Sequence, residues 1–132
     1  MTAEQALSDL TEISSQVEAA ALFDAKGTVA ASTLADGKPF VRAVQDLLAA
    51  AAEARQGSLN QLEASTGEGS VFVVRDGDAY IAATTAPEPT VALVFYDLKT
   101  ALRAAASEPA PKKAAPRKRA PKKKPEADGD AA

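Results

Sequence analysis

The stretch Pro39-Phe40-Val41-Arg42-Ala43-Val44-Gln45-Asp46-Leu47-Leu48-Ala49-Ala50-Ala51-Ala52-Glu53-Ala54-Arg55 reads as a helix. Phe40, Val44, Leu47, Leu48 and Ala51 recur at helical spacing and mark one broad apolar face. Pro39 suits a first turn, where its missing N–H has no intrahelical acceptor in any case. Asp36 stands just upstream as a cap. Gly57 stands just downstream, where a left-handed stop is cheapest without a side chain. The alanines favour helix and leave the other faces short of bulk. One face therefore suits a sheet of the same chain. The smooth alanine side is either ordinary surface or a place where a second helix can lie close.

Shorter elements surround this helix. Residues 3–16 are expected to form a first helix, with Ala3, Leu7, Leu10, Ile13 and Val17 on one side. Thr2 and Gln5 make a capping-box pattern at its start. Residues 19–23 and 28–32 read as strands joined by the turn Asp24-Ala25-Lys26-Gly27. Beyond Gly57, residues 59–66 alternate weakly, with Leu62 and Ala64 on one side, and Gly67-Glu68-Gly69 turns the chain. Residues 70–75 contain the β-branched and aromatic run Val71-Phe72-Val73-Val74. Asp76-Gly77 is a strong hairpin signal, and residues 79–85 pair back. Pro87-Glu88-Pro89 ends the sheet. Thr90 opens a last helix carrying Val91, Val94, Phe95, Leu98, Ala101 and Leu102 at helical period. The order helix, two strands, helix, three strands, helix predicts a two- or three-layer α/β sandwich with antiparallel hairpins.

Composition narrows the chemistry. In 132 residues there is room for one small domain. There is no cysteine and no histidine, which removes the thiol nucleophile, the zinc-thiolate site, the commonest general base and the commonest metal ligand. An enzyme is not expected, nor is a cofactor. The acidic opening Met1-Thr2-Ala3-Glu4-Gln5 lacks a signal pattern, and no apolar run approaches the ~20 residues that span a bilayer. A cytoplasmic protein without a transmembrane segment is the expectation.

The net charge of −3 divides unevenly. Residues 1–106 carry seven basic and fourteen acidic side chains, hence −7; residues 107–132 carry eight basic and four acidic, hence +4. The second segment has no aromatic, Leu, Ile or Val and holds five of the eight prolines, so nothing offsets the entropy of ordering it. An acidic domain over residues 1–106 with a disordered basic tail over 107–132 follows. Lys112, Lys113, Arg117, Lys118, Arg119, Lys122, Lys123 and Lys124 form a run without acidic interruption. Such a run suits nucleic acid or another polyanion, an anionic membrane surface, a contact with its own acidic domain, or solubility alone.

Other motifs are weaker. Gly67-Glu68-Gly69-Ser70 lacks the lysine and spacing of a phosphate loop and reads as a turn. Asp76 and Asp78 flank a glycine, which serves a turn better than a cation. Arg42, Arg55 and Arg75 are candidates for reaching a phosphate, though a surface arginine needs no such role.

The element order, the opening Ala20-Ala21-Leu22-Phe23-Asp24-Ala25-Lys26-Gly27-Thr28-Val29-Ala30-Ala31-Ser32 and the closing Leu93-Val94-Phe95-Tyr96-Asp97-Leu98-Lys99-Thr100-Ala101-Leu102-Arg103 resemble the Roadblock/dynein light chain domain family over roughly residues 3–105. The resemblance implies a profilin-like, Roadblock/longin-like five-stranded antiparallel sheet with helices on both faces. It also implies a homodimer in which second helices lie antiparallel and third strands meet edge to edge, using Phe40, Val44, Leu47, Leu48, Ala51, Leu59 and Leu62. Members bind small Ras-like GTPases as activators or adaptors, so a dimeric GTPase regulator or scaffold is the expected function. A nucleic-acid-associated protein in which the domain pairs two basic tails is the alternative.

Overall fold

A computed structural model describes residues 2–57 and 59–106. The expected basic tail, with its eight lysines and arginines, lies outside the described residues, as does the boundary drawn at residue 107.

The chain runs α1 (Ala3–Ile13), β1 (Val17–Asp24), β2 (Val29–Ser32), α2 (Lys38–Arg55), β3 (Gln61–Thr66), β4 (Gly69–Asp76), β5 (Ala79–Thr85) and α3 (Val91–Ala106). The five strands form one antiparallel sheet in the order β2-β1-β5-β4-β3. Alternation along each strand feeds two separate cores. Ala20, Leu22, Phe72, Val74, Ile81 and Ala83 face α1 and α3, meeting Leu7, Leu10, Leu98 and Leu102. Ala21, Phe23, Val73 and Ala82 face α2, meeting Val41 and Val44. The fold is therefore a three-layer α/β sandwich, two helices on one face and one on the other. Each fully buried Leu, Ile or Phe contributes about 1.5–3 kcal/mol. The Phe72 and Phe95 rings lock β4 to α3 edge to face, with centroids 5.0 Å apart.

Local chemistry sets the ends. The Thr2 hydroxyl accepts the Gln5 N–H at 3.1 Å, as the capping pattern predicts. α1 stops at Ile13, three residues short of the expected end, because the extended Ser14 turns the chain into β1. Val17 consequently belongs to the strand, and Ile13 is 72% exposed rather than on the buried face. At α2 the N-cap is Gly37; Asp36 acts one residue earlier, its carboxylate accepting the Lys38 N–H at 3.1 Å. The left-handed stop is Gln56, with φ 58°, and not Gly57. Val91 is likewise 40% exposed, so the buried face of α3 begins at Val94.

One glycine is compulsory. Gly69 has φ +148°, and a Cβ there would lie 2.2 Å from the Thr85 carbonyl oxygen on the next strand. It follows the turn residues Gly67 and Glu68, where the Thr66 hydroxyl accepts the Glu68 N–H and donates to the Gly69 carbonyl.

Candidate protein-interaction surface

The eighteen residues of α2 carry more apolar arc than one sheet can cover. Val41 and Val44 are 1% and 2% exposed and lie on the sheet; Phe40 and Leu48 pack against the same cluster. Leu47 and Ala51 are half-buried but outside that cluster. With Phe40, Ala43, Ala50 and Ala54 they continue the three-to-four spacing along the helix flank, and Ala43, Ala50 and Ala54 are exposed. The broad face read from the sequence is thus two surfaces. Val44, expected at a dimer interface, is committed to the protomer's own core. Val41, not named in that face, is the most buried side chain of the helix. The alanine flank is visible in the sequence; which apolar residues accompany it is not.

The sheet also has an exposed edge. Among the described residues β3 pairs only with β4, in the register Leu62↔Val73 and Ala64↔Val71. Leu62 is half-buried and packs toward α2, and Asn60 extends the pairing by accepting the Arg75 N–H at 2.9 Å. That bond sets the antiparallel phase, so Gln61, Glu63 and Ser65 direct their peptide groups away from β4. Such an edge is a template for another strand. The Ser65 hydroxyl bonds the Glu63 carboxylate and lies 3.2 Å from the Ser70 hydroxyl, which ties side chains together without covering the edge.

Between the end of α2 and the sheet lies a groove of about 350 Å³ whose walls include Gln45, Leu48, Leu59, Arg75 and Tyr80. Its floor is the stacked pair Phe23 and Tyr80, with centroids 5.2 Å apart and planes 12° from parallel. The β1–β2 turn packs under α2 here: a Cβ on Gly27 would meet the Gln45 amide at 2.7 Å. The turn is built on Asp24, whose carboxylate accepts the N–H groups of Lys26 and Thr28, each at 2.9 Å. The Thr28 N–H does most to hold the Asp24 carboxyl below its ordinary pKa; partial burial opposes it, and the Lys26 N–H, the Lys26 charge and the Gly27 N–H add to it.

The three candidate arginines are scattered. Arg42 and Arg55 are exposed on α2, and Arg75 donates from Nε to the Gly77 carbonyl at 2.8 Å, which braces the β4–β5 hairpin. Gly67-Glu68-Gly69 is a hairpin connection. Among the described residues no three acidic side chains converge as a metal cage, and no helix is long and apolar enough to cross a membrane.

The sequence matches no protein-family model and no curated protein. The backbone does match solved structures. A Roadblock/LC7 domain from Streptomyces avermitilis superposes with a TM-score of 0.69 at 16% identity, covering 80% of this chain and 96% of that one. The chain has the Roadblock/LC7 fold. The gliding protein MglB of Thermus thermophilus superposes on it with a TM-score of 0.66 at 18% identity, covering 77% of this chain and 84% of the other. Profilin II of Acanthamoeba castellanii, at 0.54 and 13%, covers 78% of this chain and 95% of its own. The profilin likeness agrees with the profilin-like sandwich that the family resemblance implies. At these identities the agreement is one of fold, carried by backbone and core pattern rather than by shared side chains.

Proposed function

We propose that this chain is a homodimeric regulator or scaffold of a small Ras-like GTPase, working in the cytoplasm and supplying no catalytic group of its own. The observation that carries the reading is the flank of α2 bearing Leu47 and Ala51, half-buried but outside the protomer's core clusters, with exposed Ala43, Ala50 and Ala54 beside them on a Roadblock/LC7 fold. A second copy lying antiparallel on that flank brings two alanine-rich helices close, and pairing at β3 extends the sheet across the dimer. Leu62 on β3 packs against the core beneath α2, and Leu59 lines the groove at the end of α2. The GTPase as partner rests on the family resemblance in the sequence and on the fold shared with MglB.

A dimer with no histidine or cysteine can still accelerate a GTPase by fixing loops the GTPase already owns, since positioning and charge placement dominate phosphoryl transfer. The test is to load a small GTPase from the same source with GTP or GDP and measure binding and turnover with the full chain. Preference for one nucleotide state supports a regulator; equal affinity for both supports a scaffold, because a partner without differential affinity shifts no equilibrium. Alanine at Arg42, Arg55 or Arg75 is expected to leave any stimulation largely intact, whereas loss of a true arginine finger costs at least about 10³-fold. Absence of binding in both states defeats the proposal and leaves the nucleic-acid reading, which rests on the basic run 112–124.

A further inference from the structure

The register of the sheet gathers acidic residues at one end. Asp24 on β1 and Asp76 on β4 both stand opposite Ala79 on the intervening β5. Two strand spacings separate them, about 10 Å. Alternation from Leu22 and Val74 puts both on the α1–α3 face of the sheet. With Asp78 from the hairpin they rim a groove of about 510 Å³ whose apolar wall includes Leu22 and Leu102. Ala106, the last residue of α3, is itself part of that wall. The described chain therefore ends, at Ala106, on the wall of an acidic-rimmed apolar groove.

We propose that residues 111–119 of the same chain dock in this groove. Five residues lie between Ala106 and Lys112, and the six extended steps from one to the other span up to about 20 Å, enough to return across the groove. Pro111, Ala114, Ala115 and Pro116 are small and apolar and match the wall; Lys112, Lys113, Arg117, Lys118 and Arg119 match the rim. The carboxylates are too spread to form a metal cage, which suits several separate cations on one strand. Among the described residues none of the three belongs to a salt bridge; Lys26 stands beside Asp24, and Arg75, Lys99 and Arg103 line the neighbouring cleft with Asp76. Exposed ion pairs are individually weak, but tethering at Ala106 makes the encounter intramolecular at high effective concentration. The contact covers this end of the sheet reversibly and in a salt-dependent way. It is independent of the GTPase reading.

The chain has no cysteine, so Ala115→Cys places a single nitroxide label in the segment of the full-length protein. Paramagnetic broadening of backbone amides is then mapped by NMR. The expected result is selective signal loss at residues 24–28 and 76–80, with Glu88 and Thr90 at the opposite end of the sheet spared. The loss should disappear at about 1 M salt, where the Debye length is about 3 Å. It should also fall in Asp76→Asn/Asp78→Asn, and the salt arm on the unsubstituted domain decides the matter if that variant folds poorly. Mixing labelled chain without ¹⁵N with ¹⁵N chain without label isolates contact between copies. Uniform broadening, broadening centred elsewhere, insensitivity to salt, or signal loss only in the mixed sample each overturns the proposal.

Discussion

Val44 and Leu47 lie three residues apart on α2, yet Val44 is 2% exposed in the core beneath the helix while Leu47 belongs to no core cluster. The boundary between the folding surface and the proposed assembly surface passes between them. Substituting each separates the two roles. Val44→Asp buries an unpaired charge and is expected to unfold the protomer. Leu47→Glu is expected to keep the protomer folded, with a thermal midpoint lowered only by the lost association, while converting a dimer to a monomer in sedimentation at micromolar concentration. A wild-type monomer under those conditions defeats the dimer, and joint unfolding by both variants removes the distinction.

The edge of β3 offers a second handle on assembly. Glu63 directs its peptide group away from β4, so proline there deletes an N–H that the protomer's own sheet does not use. Glu63→Pro is expected to keep the circular dichroism of the fold but weaken self-association at least tenfold. Proline at Leu62, which faces β4 in the hydrogen-bonded phase, should instead lower stability directly. Unaltered association in a folded Glu63→Pro variant excludes a continuous intersubunit sheet.

Gly69 is the backbone position least tolerant of a side chain. Gly69→Ala adds a methyl group 2.2 Å from the Thr85 carbonyl oxygen at φ +148°. The expected cost is about 2 kcal/mol or more, which corresponds to a fall of roughly 10 °C in the melting temperature of a domain this size. Gly67→Ala, where an added Cβ meets nothing within 4 Å, is the control and should change little. Equal effects of the two would show that the hairpin relaxes around the added methyl.

Asp24 gives the domain an acid limb. Its pKa is lowered in the folded state, chiefly by the Thr28 N–H, so the unfolded chain binds its proton first as pH falls. The stabilisation is complete above the unfolded value of about 3.8 and is lost as pH drops through the lower folded value. Thermal melts from pH 6 down to about 2 should show Asp24→Asn destabilised at neutral pH, with the gap to wild type closing at the acid end. A gap that stays constant with pH would remove the carboxylate's charge from the account.

Much of the architecture could be read before any coordinates. The capping pair Thr2 and Gln5, the Asp24–Gly27 turn, the Val71–Val74 run and the period from Val94 to Leu102 all act over a few residues, where side-chain chemistry decides the backbone directly. Ends were less legible. Ile13 continues the helical period into Val17, but the period cannot tell that Ser14 breaks the helix and hands Val17 to a strand. Gln56 takes the left-handed position that Gly57 was expected to hold. The grooves beside Tyr80 and Leu102 left no local trace, because their walls come from elements distant in the chain.

The sequence by itself determined the order and type of the elements, the want of histidine and cysteine chemistry, and the opposition of an acidic stretch to a basic one. Those properties are local or compositional and need no partner in space. Only the tertiary structure decided how the apolar arc of α2 divides, since periodicity reports which residues are apolar but not how much of the arc a sheet covers. It alone also brought Asp24 and Asp76 to either side of Ala79. That meeting depends on β5 inserting between β1 and β4, a choice made by the burial of both sheet faces together and by no single stretch of chain.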